Sequence, residues 1–138
     1  KAPEMTVCIP LHPGEDRGTR MFSTHNEFYI SKEDYDKVKK GGNFRLMHLF
    51  NIKSNKNISF VSKELDEGLN AKPIHWLPVE NYESLKTRIL MPDGSSLNGL
   101  SEQGINNLKE GDVIQFERFG FCRLNDKKES FNFWFAHK

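Results

Sequence analysis

The sequence is short of cysteine, of net charge and of long apolar runs, and each shortage excludes a class of protein. Two Cys in 138 residues, Cys8 and Cys122, cannot build the multi-bridge framework of a small secreted domain. Two buried thiols, acting as small hydrophobes, are the expectation. Twenty Lys and Arg against nineteen Asp and Glu leave a formal charge of +1. The total balance therefore argues neither for nor against nucleic acid, and such a partner would require the cations to be gathered on one face. No apolar stretch approaches the roughly 20 residues of a membrane span. The N-terminus has no basic segment followed by an apolar run, the mark of a signal peptide. No membrane role is expected.

Templates for chemistry are missing as well. There is no GxxxxGK[ST] to cradle phosphate, no GxSxG nucleophile elbow, and no HExxH or CxxC. Cys8 and His12 stand four apart, but Pro13 follows and no second pair completes the set of about four ligands that zinc requires. Glu117 sits in an apolar strand, yet acid catalysis on a glycoside would need a second acid facing it across a cleft. Pairing with Arg118 or Arg123, or exposure to solvent, is the ordinary reading. No catalytic residue, metal site or cofactor is expected in this segment. The chain opens on Lys1 and not on Met, which reads as a piece of something longer.

What is present is aromatic and strand-like. Eleven Phe, three Tyr and two Trp exceed the needs of a minimal core, so some of them are free to face a ligand. Thr6-Val7-Cys8-Ile9 alternates and stops at Pro10, and Pro10 to Gly18 has loop chemistry. Glu27 to Ile30 is strand-like. Ser31 then looks like an N-cap, with Glu33 and Asp34 in the first turn of a short helix that ends at Gly41-Gly42. Phe44 to Ile52 reads as one strand with apolar residues on both faces, Asn51 to Asn57 as a turn, and Ile58 to Val61 as its return. Pro73 to Pro78 is bracketed by prolines, which suits an edge strand. Leu85 to Met91, Val113 to Arg118, Phe121 to Leu124 and Phe131 to Phe135 complete the series, with a turn at Pro92-Asp93-Gly94 and a charged hairpin tip from Asn125 to Ser130. About ten short strands with turn signals every ~8–12 residues predict a mainly β chain, a barrel or a sandwich.

Lys32, Lys37, Lys39, Lys40 and Arg45 crowd one helix-to-strand junction, with Phe44, His48 and Phe50 interleaved. Cations attract phosphate and aromatic planes stack unpaired bases. Glu33, Asp34 and Asp36 lie among the lysines, so a solvated charged face accounts for the composition equally well.

Three segments bear on that choice. Ile9-Pro10-Leu11-His12-Pro13 is followed by Gly18-Thr19-Arg20, in the pattern HPxxxxGxR. Ile74-His75-Trp76-Leu77 supplies an IHW. Gly111 to Phe121 reads GDxxQFERxGF. In this order and approximate spacing they resemble the anticodon-binding region of the family of glutaminyl-tRNA synthetases and archaeal- and eukaryotic-type glutamyl-tRNA synthetases, and they cover nearly the whole chain. The resemblance implies two small antiparallel β-barrels with one or two short helices. Residues 1–40 and 96–138 would build the proximal barrel, and 41–95 the distal one. It implies a role in holding the anticodon loop of tRNA for glutamate, so that the parent enzyme attaches glutamate in an ATP-dependent reaction. ATP and Mg2+ would serve a catalytic part N-terminal to this segment, whose HIGH-type and KMSKS-type sequences are absent. The parent would be cytoplasmic, and other proteins of a synthetase complex are further candidate partners.

By position in the family motifs, Gln115 matches a residue that contacts the middle anticodon base, a uridine. Its amide offers both the donor and the acceptor that a uracil edge requires. Arg45, in Phe44-Arg45-Leu46, matches an Arg near the first anticodon base, where a guanidinium can give two parallel hydrogen bonds. Lys39 and Lys40 fall near a Lys-Arg pair that meets the third base. Arg20 carries a tRNA-facing or a structural role, and Lys72 and Arg88 are candidate backbone contacts. His75 and Trp76 read as barrel packing. A family Arg for the middle base lies in a segment that this chain does not include, which predicts weaker affinity than the parent's. Three alternatives stay open: the glutaminyl member of the family, a ribosomal RNA-binding barrel, and a protein-interaction barrel that docks through its Phe-rich strands. The short end from Phe131 to Lys138 and the compact middle lean toward the glutamyl type.

Overall fold

The alternation read from Thr6 onward becomes thirteen β-strands and one α-helix in the computed structural model, which describes residues 2–12, 14–79 and 85–138. Pro13, part of the opening motif, lies outside the described residues. The chain divides into two compact units, Lys1–Asn81 and Tyr82–Lys138. Among the described residues no helix is long and apolar enough to cross a membrane.

In the first unit, β1 (Met5–Pro10) and β2 (Thr19–Thr24) pair antiparallel around the loop opened by Pro10. After β3 (Phe28–Tyr29) comes α1 (Lys32–Lys39). Ser31 caps α1 as expected, its hydroxyl accepting from the Asp34 N–H at 3.1 Å. At the other end, the Ser54 hydroxyl donates to the Val38 carbonyl at 2.7 Å, satisfying one of the helix's last acceptors. Gly41 and Gly42 follow with positive φ, +92° and +130°. The remaining strands are β4 (Gly42–Leu46), β5 (Phe50–Ser54), β6 (Ile58–Ser62), β7 (Lys72–Ile74) and β8 (Leu77–Pro78). They make a four-stranded sheet ordered β6-β5-β4-β7 and the short pair β3-β8.

The core of this unit gathers Val38, Phe44, Leu46, Leu49, Phe50, Ile52 and Ile74. Trp76 packs against it, edge-to-face with Phe22 and Phe28 at 5.5 Å each. Its indole N–H donates to the Met47 carbonyl at 2.8 Å. The packing role read for Trp76 is what the structure shows.

The span Phe44 to Ile52 is not one strand but a hairpin. Residues 47–49 turn the chain, His48 takes a left-handed φ of 63°, and the Leu49 N–H reaches the Leu46 carbonyl at 2.9 Å. No Gly or Pro marks the turn, and Leu49 and Phe50 both enter the core, so the apolar run continues through it. Consequently β5 runs to Ser54, and the turn is confined to Asn55–Asn57.

The second unit contains β9 (Leu85–Leu90), β10 (Ser96–Ser101), β11 (Val113–Phe116), β12 (Gly120–Asp126) and β13 (Phe131–His137), in one sheet ordered β10-β9-β13-β12-β11. Cys122, Leu124 and Phe133 are its buried centre, with Ile89, Ile114, Phe116, Phe131 and Phe135 packed around them. Leu85–Leu90, assigned from sequence to a distal barrel over 41–95, pairs with β10 and β13, because Thr87 and Ile89 complete the inner face of that sheet.

The architecture is mainly β with one helix and several sheets, as expected, but pairing is not purely antiparallel. β4 runs parallel to β7, and β9 parallel to β13, since these partners are joined by long crossovers and not by hairpins. None of the four sheets closes on itself through ladder hydrogen bonds among the described residues.

The cysteines differ from the expectation of two buried thiols. Cys122 is fully buried, but Cys8 is exposed, because Ile9 and not Cys8 takes the inward position of β1. Burial pushes the Cys122 thiol up to about 11. A thiol reagent at neutral pH should modify Cys8 within minutes and Cys122 only after denaturation. Counting labelled sites by mass with and without denaturant checks this.

Candidate functional site

The β11–β12 hairpin presents the first site residue. Its turn carries Arg118 at a left-handed φ of 62° and ends at Gly120. Val113 and Gln115 then face outward from β11, while Ile114 and Phe116 turn toward the core. Glu117 is exposed at the turn. In β12 the outward positions are Phe121 and Arg123, in β13 Trp134, and in β9 Lys86, Arg88 and Leu90.

Register aligns these outward side chains in rows across the sheet, because directly paired residues share a face. One row is Val113, Arg123, Trp134, Leu90 and Ser96. A second places Gln115 beside Phe121, and Phe121 beside His137. The Phe121 and His137 rings stack at 4.6 Å. A third runs Asp126, Asn132, Arg88 and Asn98.

Among the described residues Lys86, Arg88 and Arg123 make no ion pair. The acid on this face, Asp126, accepts from the Asn132 amide at 2.6 Å and from the Lys128 N–H at 3.1 Å. The Asn132 hydrogen bond, then that of Lys128, holds its carboxyl below the usual range. It stays ionised but is turned to these local donors. An amide at one edge, three cations and exposed rings can together hydrogen-bond a base edge, attract phosphate and stack a base.

The first unit carries the other expected residues. Lys39 and Lys40 are exposed at the end of α1, with the Lys39 ammonium 5.6 Å from the Tyr35 ring centre. The neighbouring acids engage Lys37 instead, through Glu33 at 2.6 Å and Asp34 at 3.4 Å. That pairing, with Glu33 foremost, raises the Lys37 pKa.

Arg45 is half-buried on β4. Its Nη1 donates to the Asn51 side-chain oxygen at 3.0 Å and to the carbonyls of Lys63 and Glu64 at 3.2 and 3.3 Å. These are neutral acceptors, and among the described residues Arg45 makes no ion pair, so the guanidinium is held in place by uncharged groups. Lys72 is exposed on β7, one residue before Pro73, which pairs with Arg45. Arg20 is half-buried on β2, its guanidinium 5.9 Å from the Phe22 ring centre.

The structure thus brings Gln115 and Arg88 to one face of the second unit, and places Arg45, Lys39, Lys40 and Lys72 in the first. Sequence reasoning did not single out Trp134, Arg123 or Lys86. The alternation of Phe131 to Phe135 was the available signal, since it sets Trp134 opposite the buried Phe133.

Comparison with known proteins gives this geometry a family. Residues 1–72 and residues 73–125 each match a domain described as "tRNA synthetases class I (E and Q), anti-codon binding domain". A glutamate–tRNA ligase of Methanobrevibacter smithii is 39% identical over 134 residues, covering 94% of this chain and 23% of the relative. That of Methanothermobacter thermautotrophicus is 35% identical over 133 residues, covering 94% and 23%. That of Pyrococcus furiosus is 36% identical over 155 residues, covering 100% and 26%. The chain spans about a quarter of the length of the curated relatives it matches. With both domain matches meeting end to end across a mainly β chain, the chain belongs to the anticodon-binding domain family of the class I tRNA synthetases for E and Q.

Proposed function

We propose that this chain is the anticodon-recognition portion of a glutamate–tRNA ligase, acting by discrimination and not by chemistry. The observation that carries the reading is the outward placement of Gln115 on an edge strand, on a face whose cations make no ion pair among the described residues. An edge strand leaves the Gln115 amide accessible to a base edge, and an amide can satisfy both donor and acceptor of a uracil. Arg45, Lys39 and Lys40 are assigned to the flanking anticodon bases, and Lys72 and Arg88 to the tRNA backbone. A wrong base would leave polar groups unpaired at about 1–3 kcal/mol per position. In such an enzyme ATP and Mg2+ act in a catalytic portion N-terminal to this segment, in the cytoplasm, and docking of the anticodon arm helps place the acceptor end there. The relatives named above are glutamate–tRNA ligases, which supports the glutamyl assignment over the glutaminyl one.

The test is binding of the chain to the isolated anticodon stem-loop of a glutamate tRNA beside an acceptor-stem minihelix of the same tRNA. The anticodon arm should bind preferentially, and its affinity should fall steeply as salt rises, because phosphate contacts release counterions. Equal binding of the two arms, or none, would remove the reading.

A further inference from the structure

Gln115 and Arg88 lie toward opposite sides of the second unit's sheet, and the ground between them has no assigned role. Its centre is Trp134 on β13. Phe133 is buried in the core and Phe131 and Phe135 pack against it, so the strand has no need of a fourth aromatic for folding, yet Trp134 stands 49% exposed. Among the described residues its ring makes no aromatic or cation contact.

Arg123 is its direct cross-strand neighbour on one side and Leu90 on the other. Arg88 is the diagonal neighbour across the parallel β13–β9 ladder, paired with Asn132 two residues before Trp134. The strands of this sheet carry three basic residues, Lys86, Arg88 and Arg123, against the single acid Asp126. A protein-docking face would keep charge at its rim, whereas here two arginines stand next to Trp134 in the register of the sheet, Arg123 directly and Arg88 diagonally.

We propose that this face is a surface for single-stranded RNA, on which Trp134 stacks one unpaired base while Arg123 and Arg88 hold the adjoining phosphates. Stacking needs no base-edge reading, since every base has a π-face. The surface therefore contributes affinity without sequence preference, beside a Gln115 that discriminates. The inference rests on the reading that the chain meets RNA, but not on which base Gln115 reads.

The test follows tryptophan fluorescence of the 138-residue chain during titration with an unstructured oligouridylate. Trp76, half-buried with its indole N–H on the Met47 carbonyl, supplies a constant background. Oligouridylate should quench Trp134, and Trp134→Ala should abolish most of the quenching and weaken binding about tenfold. Trp134→Phe should recover part of the affinity, which separates stacking from any loss of fold. Arg123→Ala should lower the salt slope of log affinity by about one. Against tRNAs with and without the middle uridine, Trp134→Ala should weaken both alike and leave their ratio unchanged. Wild-type affinity in Trp134→Ala, or no quenching at all as for a protein-docking face, overturns the proposal even if anticodon-arm binding stands. Trp134-dependent binding with no preference between the tRNAs supports it while removing the anticodon reading.

Discussion

Gly120→Ala should destabilise the chain by about 3 kcal/mol, combining overpacking and backbone strain of roughly 1–3 kcal/mol each. Gly120 opens β12 at φ +152°, where L side chains rarely go. A methyl group there would lie 2.7 Å from the Phe135 ring and 2.8 Å from the His137 carbonyl oxygen. The ring can rotate, but the carbonyl belongs to β13, whose ladder with β12 pairs Phe121 with His137. Relief therefore requires β11 and β12 to move as a hairpin, and that hairpin holds Gln115. Urea unfolding followed by circular dichroism should show a lower midpoint with an unchanged slope. A loss under about 0.5 kcal/mol, the scale of an ordinary surface substitution, would mean that the turn is looser than described.

Asn51→Ala should cost about 2–3 kcal/mol and also weaken RNA binding. Asn51 is 1% exposed. Its side-chain oxygen accepts from Arg45, and its amide donates to the Ser62 hydroxyl at 2.9 Å and the Glu64 carbonyl at 2.7 Å. One side chain thus fixes the guanidinium of Arg45 and the segment after β6. Each buried polar group left unpaired costs about 1–3 kcal/mol, offset here where Glu64 and Arg45 reach water. If Arg45 contributes to RNA affinity only when held, Arg45→Ala should add little further loss in the Asn51→Ala background, the non-additivity expected of residues in one network. Full additivity in binding would separate Asn51 from the function of Arg45.

How far the sequence discloses this molecule depends on which signal each element carries. The Ser31 cap, the turn at Asp93-Gly94 and the alternation of Phe131 to Phe135 are local chemistry, and each appears where it is read. The hairpin at 47–49 is hidden because its turn contains no Gly or Pro and the apolar run resumes at Leu49 and Phe50. β2 and β10 are weak for another reason: Thr19–Thr24 and Ser96–Ser101 are rich in small polar residues with little apolar periodicity. The parallel pairings β4–β7 and β9–β13 are set by long-range topology, which no local pattern encodes. For the site, motif position picked out Gln115, and Arg88 stood apart from it as a candidate backbone contact. Their sharing a face with Trp134 and Arg123 depends on cross-strand register and could be seen only in the fold. Arg45 was legible as a cation, but its three neutral acceptors were not, since Asn51, Lys63 and Glu64 come to it through tertiary pairing.

The most direct measurement of the central claim compares binding of the chain to a tRNA bearing a glutamate anticodon and to the same tRNA with its middle uridine replaced, in the wild type and in Gln115→Ala. The account predicts a preference of about tenfold for the uridine form, corresponding to one unpaired polar position. It predicts that Gln115→Ala abolishes the preference and leaves the salt dependence in place. Equal affinity for the two tRNAs in the wild type, or a preference that survives Gln115→Ala, would contradict it.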